Sequence, residues 1–142
     1  MKILAIIILA IFSQGGCEDS ADMKDTVIEY SANSRGFYQK ITVQDRQFTV
    51  SRDRNGMDKP QKQAISDADW KALVDAFSKI KPERLPELVP PTEKRFYDGA
   101  AIAKLKITHN KMAYETTDFD HGEPPAEIKE LVNRVLALVK EE

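Results

Sequence analysis

A single cysteine, Cys17, stands in a chain of 142 residues, so no intramolecular disulfide can hold the fold and its stability has to come from packing. Histidine is nearly as scarce: His109 and His121 are the only two. The sequence carries no glycine-rich phosphate loop, no paired-cysteine metal motif, no His-Glu-x-x-His and no Gly-x-Ser-x-Gly elbow. The common signatures of nucleotide-binding enzymes, zinc hydrolases and serine hydrolases are therefore missing, and no cofactor is expected. An excess of one charge is missing too, with 21 basic residues against 23 acidic ones, a net charge of −2, and the two signs interspersed along the chain. That leaves no basic face for nucleic acid or for an anionic lipid surface. Nor does any apolar run approach the ~20 residues that cross a bilayer. The longest, Ile3 to Phe12, is about half that length.

What is present begins at the N-terminus. Met1 and Lys2 precede the apolar run, and Ser13-Gln14-Gly15-Gly16 lead into Cys17 with small residues where a signal peptidase cuts. Plain secretion needs no thiol at that place, whereas diacylglycerol transfer requires one. Glu18, Asp19 and Asp22 surround the cysteine with charge, which argues against a thiol buried in a core. The expected organisation is a lipoprotein signal peptide over 1–16, an acylated Cys17 opening a polar tether over 17–25, and one domain over 26–142. With two or three acyl chains, each buried methylene contributing about 0.8 kcal/mol, membrane contact is expected through lipid alone and is effectively permanent.

Hydrophobic periodicity predicts an α+β domain. Val27 to Ala32 alternates with Ile28, Tyr30 and Ala32 on one face; Ser34-Arg35-Gly36 turns the chain into a second strand, Phe37 to Gln44. Asp45-Arg46 then leads into Gln47 to Arg52, with Phe48 and Val50 on one face. Ser66 is placed to cap a helix, and Trp70, Leu73, Val74 and Phe77 recur at i, i+3, i+4 and i+7 before Pro82 stops it. Pro82 to Pro91 reads as an extended connector. Ala100 to Thr108 alternates again, with Ala101, Ala103, Leu105 and Ile107 inward, and His109-Asn110-Lys111 turns into Met112 to Thr117. Pro124 and Pro125 introduce a last helix whose Ile128, Leu131, Val132, Val135 and Val139 form one stripe. The order is β-β-β-α-β-β-α, and the economical packing is an antiparallel sheet of about five strands with both amphipathic helices on one face.

The leader ending in Gly15-Gly16-Cys17, the acidic residues after it, and the segments Thr92 to Ala103 and Asp118 to Gly122 together resemble short lipoproteins of the Bacteroidota and Flavobacteria type. The resemblance implies a lipobox that accepts a polar residue at Gln14. It also implies an export role for Glu18, Asp19 and Asp22, and anchoring to the outer membrane on its periplasmic or surface-exposed face. It implies no activity.

Two segments concentrate polar or aromatic chemistry. Arg95-Phe96-Tyr97-Asp98-Gly99 crowds two aromatics, a guanidinium and a carboxylate into a loop, which is the composition of a recognition surface. The structural alternative has Phe96 or Tyr97 plugging one end of the core while Arg95 pairs with Asp98 or Asp118. In the second segment, Asp118, Asp120 and His121, with Asp98, are candidate ligands for a divalent ion or a carboxylate-oriented histidine base. The competing expectation for them is satisfaction of free N–H groups at a nearby helix start. Asp53-Arg54-Asn55-Gly56-Met57-Asp58 does not fit a calcium loop, because its glycine comes too early and Ala64 stands where the bidentate glutamate belongs. Three functions follow as expectations: a lipid-anchored, non-enzymatic binding module of the envelope with an envelope protein as candidate partner; a small metal-binding protein or metal-dependent hydrolase using Asp118, Asp120 and His121; and a purely structural envelope lipoprotein.

Overall fold

The computed structural model describes residues 23–139; the leader, Cys17 and most of the tether lie outside the described residues. The elements are β1 (Thr26–Ser34), β2 (Phe37–Gln44), β3 (Gln47–Ser51), β4 (Gln63–Ala64), α1 (Asp67–Ser78), β5 (Ile102–His109), β6 (Met112–Glu115), β7 (Phe119–Asp120) and α2 (Lys129–Ala137). Short 3-10 turns span Pro82–Glu87, Lys94–Tyr97 and Ala126–Ile128. The architecture is α+β, as the periodicity predicts, with an antiparallel sheet ordered β4-β3-β2-β1-β5-β6 and β7 also paired to β5. The five longer strands are those expected, and β4 and β7 add two residues each.

β1 is the centre of the sheet because the chain returns after α1 to lay β5 along its free edge, pairing Thr26 with His109 at one end and Asn33 with Ile102 at the other. Side chains alternate across a pleated strand. Ile28, Tyr30, Ala32, Ile41, Val43, Ala103, Leu105 and Ile107 accordingly share one face, and all are fully buried. Trp70, Leu73, Val74 and Phe77 of α1, with Leu131, Val132 and Val135 of α2, are buried in the same core cluster. Removing a large aliphatic or aromatic side chain from water contributes roughly 1.5–3 kcal/mol, so this one layer carries the stability that no disulfide can supply. Ser66 caps α1 by accepting the Asp69 N–H at 3.2 Å, and Lys79 at its other end bridges to Glu130 of α2 at 3.1 Å.

The opposite face is open and polar. Glu29 lies between Lys40 at 3.0 Å and Lys106 at 3.8 Å, and Lys104 reaches Glu115 at 3.7 Å and Asp118 at 3.5 Å. Pairs this exposed contribute about 0–1 kcal/mol each and serve mainly to keep the face wetted.

Three local expectations need correction. The connector after α1 is not extended throughout: Pro82 opens a 3-10 turn whose Leu85 is buried in the core, because proline suits the first position of a helical turn as well as the end of one. Residues 112–117 do not form one strand. β6 stops at Glu115, and the Thr116 hydroxyl accepts the Leu105 N–H at 3.1 Å, filling in for the ladder before β7 resumes it. The strand expected from Ala100 begins at Ile102.

Both Asp45-Arg46 (φ 51° and 63°) and Asn110-Lys111 (φ 50° and 69°) are left-handed at the two central turn positions, the mirror-image geometry that suits a twisted hairpin but strains a residue with a Cβ. Replacing Lys111, which is exposed, by glycine is therefore expected to stabilise the protein by about 0.5–1 kcal/mol, raising Tm by about 2–6 °C in a thermal melt.

Candidate functional site: an aromatic loop held over the open sheet face

β7 pairs with β5 so that Ile102 faces Asp120 and Ala103 faces Phe119. Directly opposed residues share a face. Phe119 thus turns into the core, fully buried, while Asp120 turns with Ile102 to the open face. A carboxylate there would ordinarily be solvated, yet Asp120 is 0 % exposed because residues 92–97 are laid across it. Its Oδ2 accepts the Thr92 hydroxyl at 2.5 Å and the Lys94 N–H at 2.7 Å; its Oδ1 accepts the Arg95 N–H at 2.9 Å and Arg95 Nη1 at 3.2 Å. Burial by itself would push this carboxyl up, but the bonds from Thr92, the two backbone N–H groups and the Arg95 guanidinium outweigh it and hold it down to about 2. Asp120 thereby caps the first turn of the Lys94–Tyr97 segment from a strand more than twenty residues away in the chain.

The other end of the turn is closed as tightly. Asp98 adopts the left-handed conformation at φ 57°, and the Gly99 N–H returns to the Lys94 carbonyl at 2.8 Å. A Cβ on Gly99 would come within 2.8 Å of Tyr97 Cε2, so the absence of a side chain there lets the Tyr97 ring lie across the turn. The Arg95 guanidinium sits 4.5 Å from the Phe96 ring centre and also donates to the Thr92 carbonyl at 2.9 Å. The rings themselves are left to solvent, Phe96 at 72 % and Tyr97 at 73 % exposed. The expectation that one of them plugs the core is overturned. The turn is fastened to the open face, where no apolar layer exists to receive a ring. Arg95 pairs with Asp120 rather than with Asp98 or Asp118, and Asp118 pairs instead with Lys104.

The candidate ligand set is dispersed by the same alternation. Asp118 and Asp120 both face outward, but the first is exposed against Lys104 and the second is enclosed beneath the loop. His121 packs its ring 5.9 Å from both Tyr30 and Phe37, at the end of the core. Its Nδ1 is 2.8 Å from the Tyr30 hydroxyl. Burial raises the Tyr30 phenol above its ordinary range and lowers His121, so Tyr30 donates and the neutral imidazole accepts. Among the described residues no three His, Cys, Asp or Glu side chains are placed to hold one metal ion. In the loop after β3, Asp53 accepts the Asn55 and Met57 N–H groups, both at 2.9 Å, and Asp58 accepts the Ser51 hydroxyl at 2.8 Å, which commits both carboxylates to holding the turn. No helix among the described residues is long and apolar enough to cross a membrane.

No family model, no curated protein and no solved structure matches the chain.

Asp120→Asn places an amide NH₂ against donors that need an acceptor, and is expected to destabilise the protein by about 3 kcal/mol at pH 7 in urea or thermal unfolding. The carboxyl lies at about 2 folded, against an ordinary value of about 3.9 unfolded. Its stabilisation is therefore complete above about pH 4 and lost as the pH falls through about 2, so the gap between wild type and Asp120→Asn should narrow across that window. His121 works with the opposite protonation. Its folded value is depressed, so acidification below about 6.5, its ordinary value, favours the unfolded chain. A ring-proton NMR titration should place His121 below the ordinary imidazole value of about 6.5, and Tyr30→Phe, which removes the donor to the neutral ring, should move His121 upward.

Proposed function

We propose that the protein is a non-enzymatic, lipid-anchored binding module of the cell envelope, acylated at Cys17, that holds its partner at the end of the open sheet face around Arg95, Phe96, Tyr97 and Asp98. One observation carries this reading: a fully buried carboxylate and four hydrogen bonds fix a loop whose two aromatic side chains are left largely to water. Exposed aromatics add nothing to the core, and a loop already fixed loses little further freedom when a partner docks on it. Rigid aromatic anchors of this kind are where binding energy concentrates.

The leader supports the anchor, and the resemblance to lipoproteins of the Bacteroidota type supports an outer-membrane location on its periplasmic or surface-exposed face. Thr26, where β1 starts, pairs with His109, whereas the aromatic loop stands beside Ile102 near the other end of β5, about 24 Å away along the strand. In the anchored protein the loop then lies at the end of the domain remote from the tether.

Intact mass of the protein from host membranes is expected to equal residues Cys17 to Glu142 plus acyl chains, with the lipid lost in Cys17→Ser; an unlipidated mature chain would overturn the anchor. The double variant Phe96→Ala, Tyr97→Ala should melt within about 1–2 °C of wild type, since exposed side chains contribute little to stability. Its retention on lipid-extracted envelope material should fall at least tenfold, and undiminished retention would overturn the loop as the binding surface.

A further inference from the structure

We propose that the ligand of this surface is a carbohydrate chain, lying across the end of the open sheet face and stacked on Phe96, Tyr97 and Tyr38. The proposal rests on the reading of the loop as a binding surface and names what it binds. Strand register places Tyr38 of β2 opposite Asn33 of β1, and Asn33 opposite Ile102 of β5; alternation turns all three to the open face. Ile102 faces Asp120, and Asp120 carries the aromatic loop. Four neighbouring strands thus line up a phenol, a carboxamide, an aliphatic side chain and two exposed rings in one stripe, about 15 Å from β2 to β7 at the usual strand spacing.

The chemistry of that stripe discriminates among ligands. Beside the two rings an anion such as a phosphate or nucleic acid meets only engaged cations, with Arg95 on Asp120, Lys94 3.8 Å from Glu123, and Lys104 shared by Glu115 and Asp118; the cations without an ion pair among the described residues at this end, Arg35 and Arg54, sit at the β1–β2 turn near Tyr38 instead. Glu93 and Asp98 at the loop make no ion pair with another described residue, which leaves two carboxylates to accept hydrogen bonds from hydroxyl groups. A protein partner fits poorly. An aromatic side chain presents 150–250 Å² when fully bared, so the two rings offer about 300 Å², well short of the roughly 800 Å² that each side of a stable protein interface contributes. The hollows of about 340 and 160 Å³ lie elsewhere, one beside Ala72, Asp75 and Arg134 on the helices and the other beside Gln44, Phe48 and Lys62. A β-linked pyranose chain is complementary to such a surface: its axial C–H groups make a flat apolar face that lies on an aromatic ring, and its equatorial hydroxyls project sideways to amide and carboxylate acceptors. Arg95 against Phe96 and Gly99 beneath Tyr97 hold the platform in place before the chain arrives.

The test is an NMR titration of the acylated protein in detergent with soluble β-1,4-linked hexasaccharides of glucose and of N-acetylglucosamine. Saturating shifts are expected on the ring signals of Phe96, Tyr97 and Tyr38 with at least one of the two sugars. Phe96→Ala and Tyr97→Ala should each weaken the affinity at least tenfold, Tyr38→Ala should weaken it less, and Lys62→Ala, in the distant hollow, should leave it unchanged. Absence of a saturating shift with either sugar at millimolar concentration overturns the carbohydrate, and so does binding that survives both loop substitutions. If sugars fail while the double loop variant still loses retention on envelope material, the binding surface stands and its ligand is protein. If that retention is unaffected as well, the surface itself falls.

Discussion

The Asp120 carboxylate is the contact on which the exposed part of this protein depends. A buried charge is tolerated only when its lone pairs are filled, and here they are filled by a hydroxyl, two main-chain N–H groups and a guanidinium, all from residues 92–95. The exchange works in both directions. The loop removes Asp120 from water, and Asp120 satisfies the free N–H groups of a turn too short to hold itself. Because Asp120 belongs to the two-residue β7, which is itself held by β5, the loop inherits its position from the centre of the sheet.

That centre is β1. With β2 on one side and β5 on the other, it links the helix-covered face to the open one and the end of the sheet where β1 begins to the loop end. The two faces divide the work. One buries the large side chains of the core and supplies the stability of a chain that cannot use disulfides; the other carries a wetted lattice of lysines, carboxylates and hydroxyls, interrupted by aromatic side chains at one end. His121 marks the border between them, with its main chain beside Asp120 and its ring closing the core against Tyr30 and Phe37.

Much of the fold was legible because its signals are local. Alternation at Ile28, Tyr30 and Ala32 and at Ala103, Leu105 and Ile107, and the three-four spacing of Trp70, Leu73, Val74 and Phe77, are properties of a few consecutive residues, and the structure follows them. What was not legible required knowing which distant segments meet. Asp120 looks like a helix cap in sequence, and it is a cap, but of a turn that precedes it by more than twenty residues. Phe96 and Tyr97 look like core material, since aromatics in small domains usually are. Only the register of β7 on β5 reveals that their loop is fastened to the face without a core. The proline-rich connector concealed Leu85, whose burial depends on where β6 runs rather than on any repeat within residues 82–91.

The manner in which Asp120 grips the loop has an evolutionary consequence. Two of its four bonds go to main-chain N–H groups, which any residue but proline supplies, and the side-chain demands fall only on Thr92 and Arg95. Phe96 and Tyr97 contribute nothing to those four bonds, whereas Asp98 closes the far end of the turn in the left-handed conformation. Natural variation can therefore rewrite positions 96 and 97, and with them what the surface recognises, while Asp120 keeps its hold on the loop.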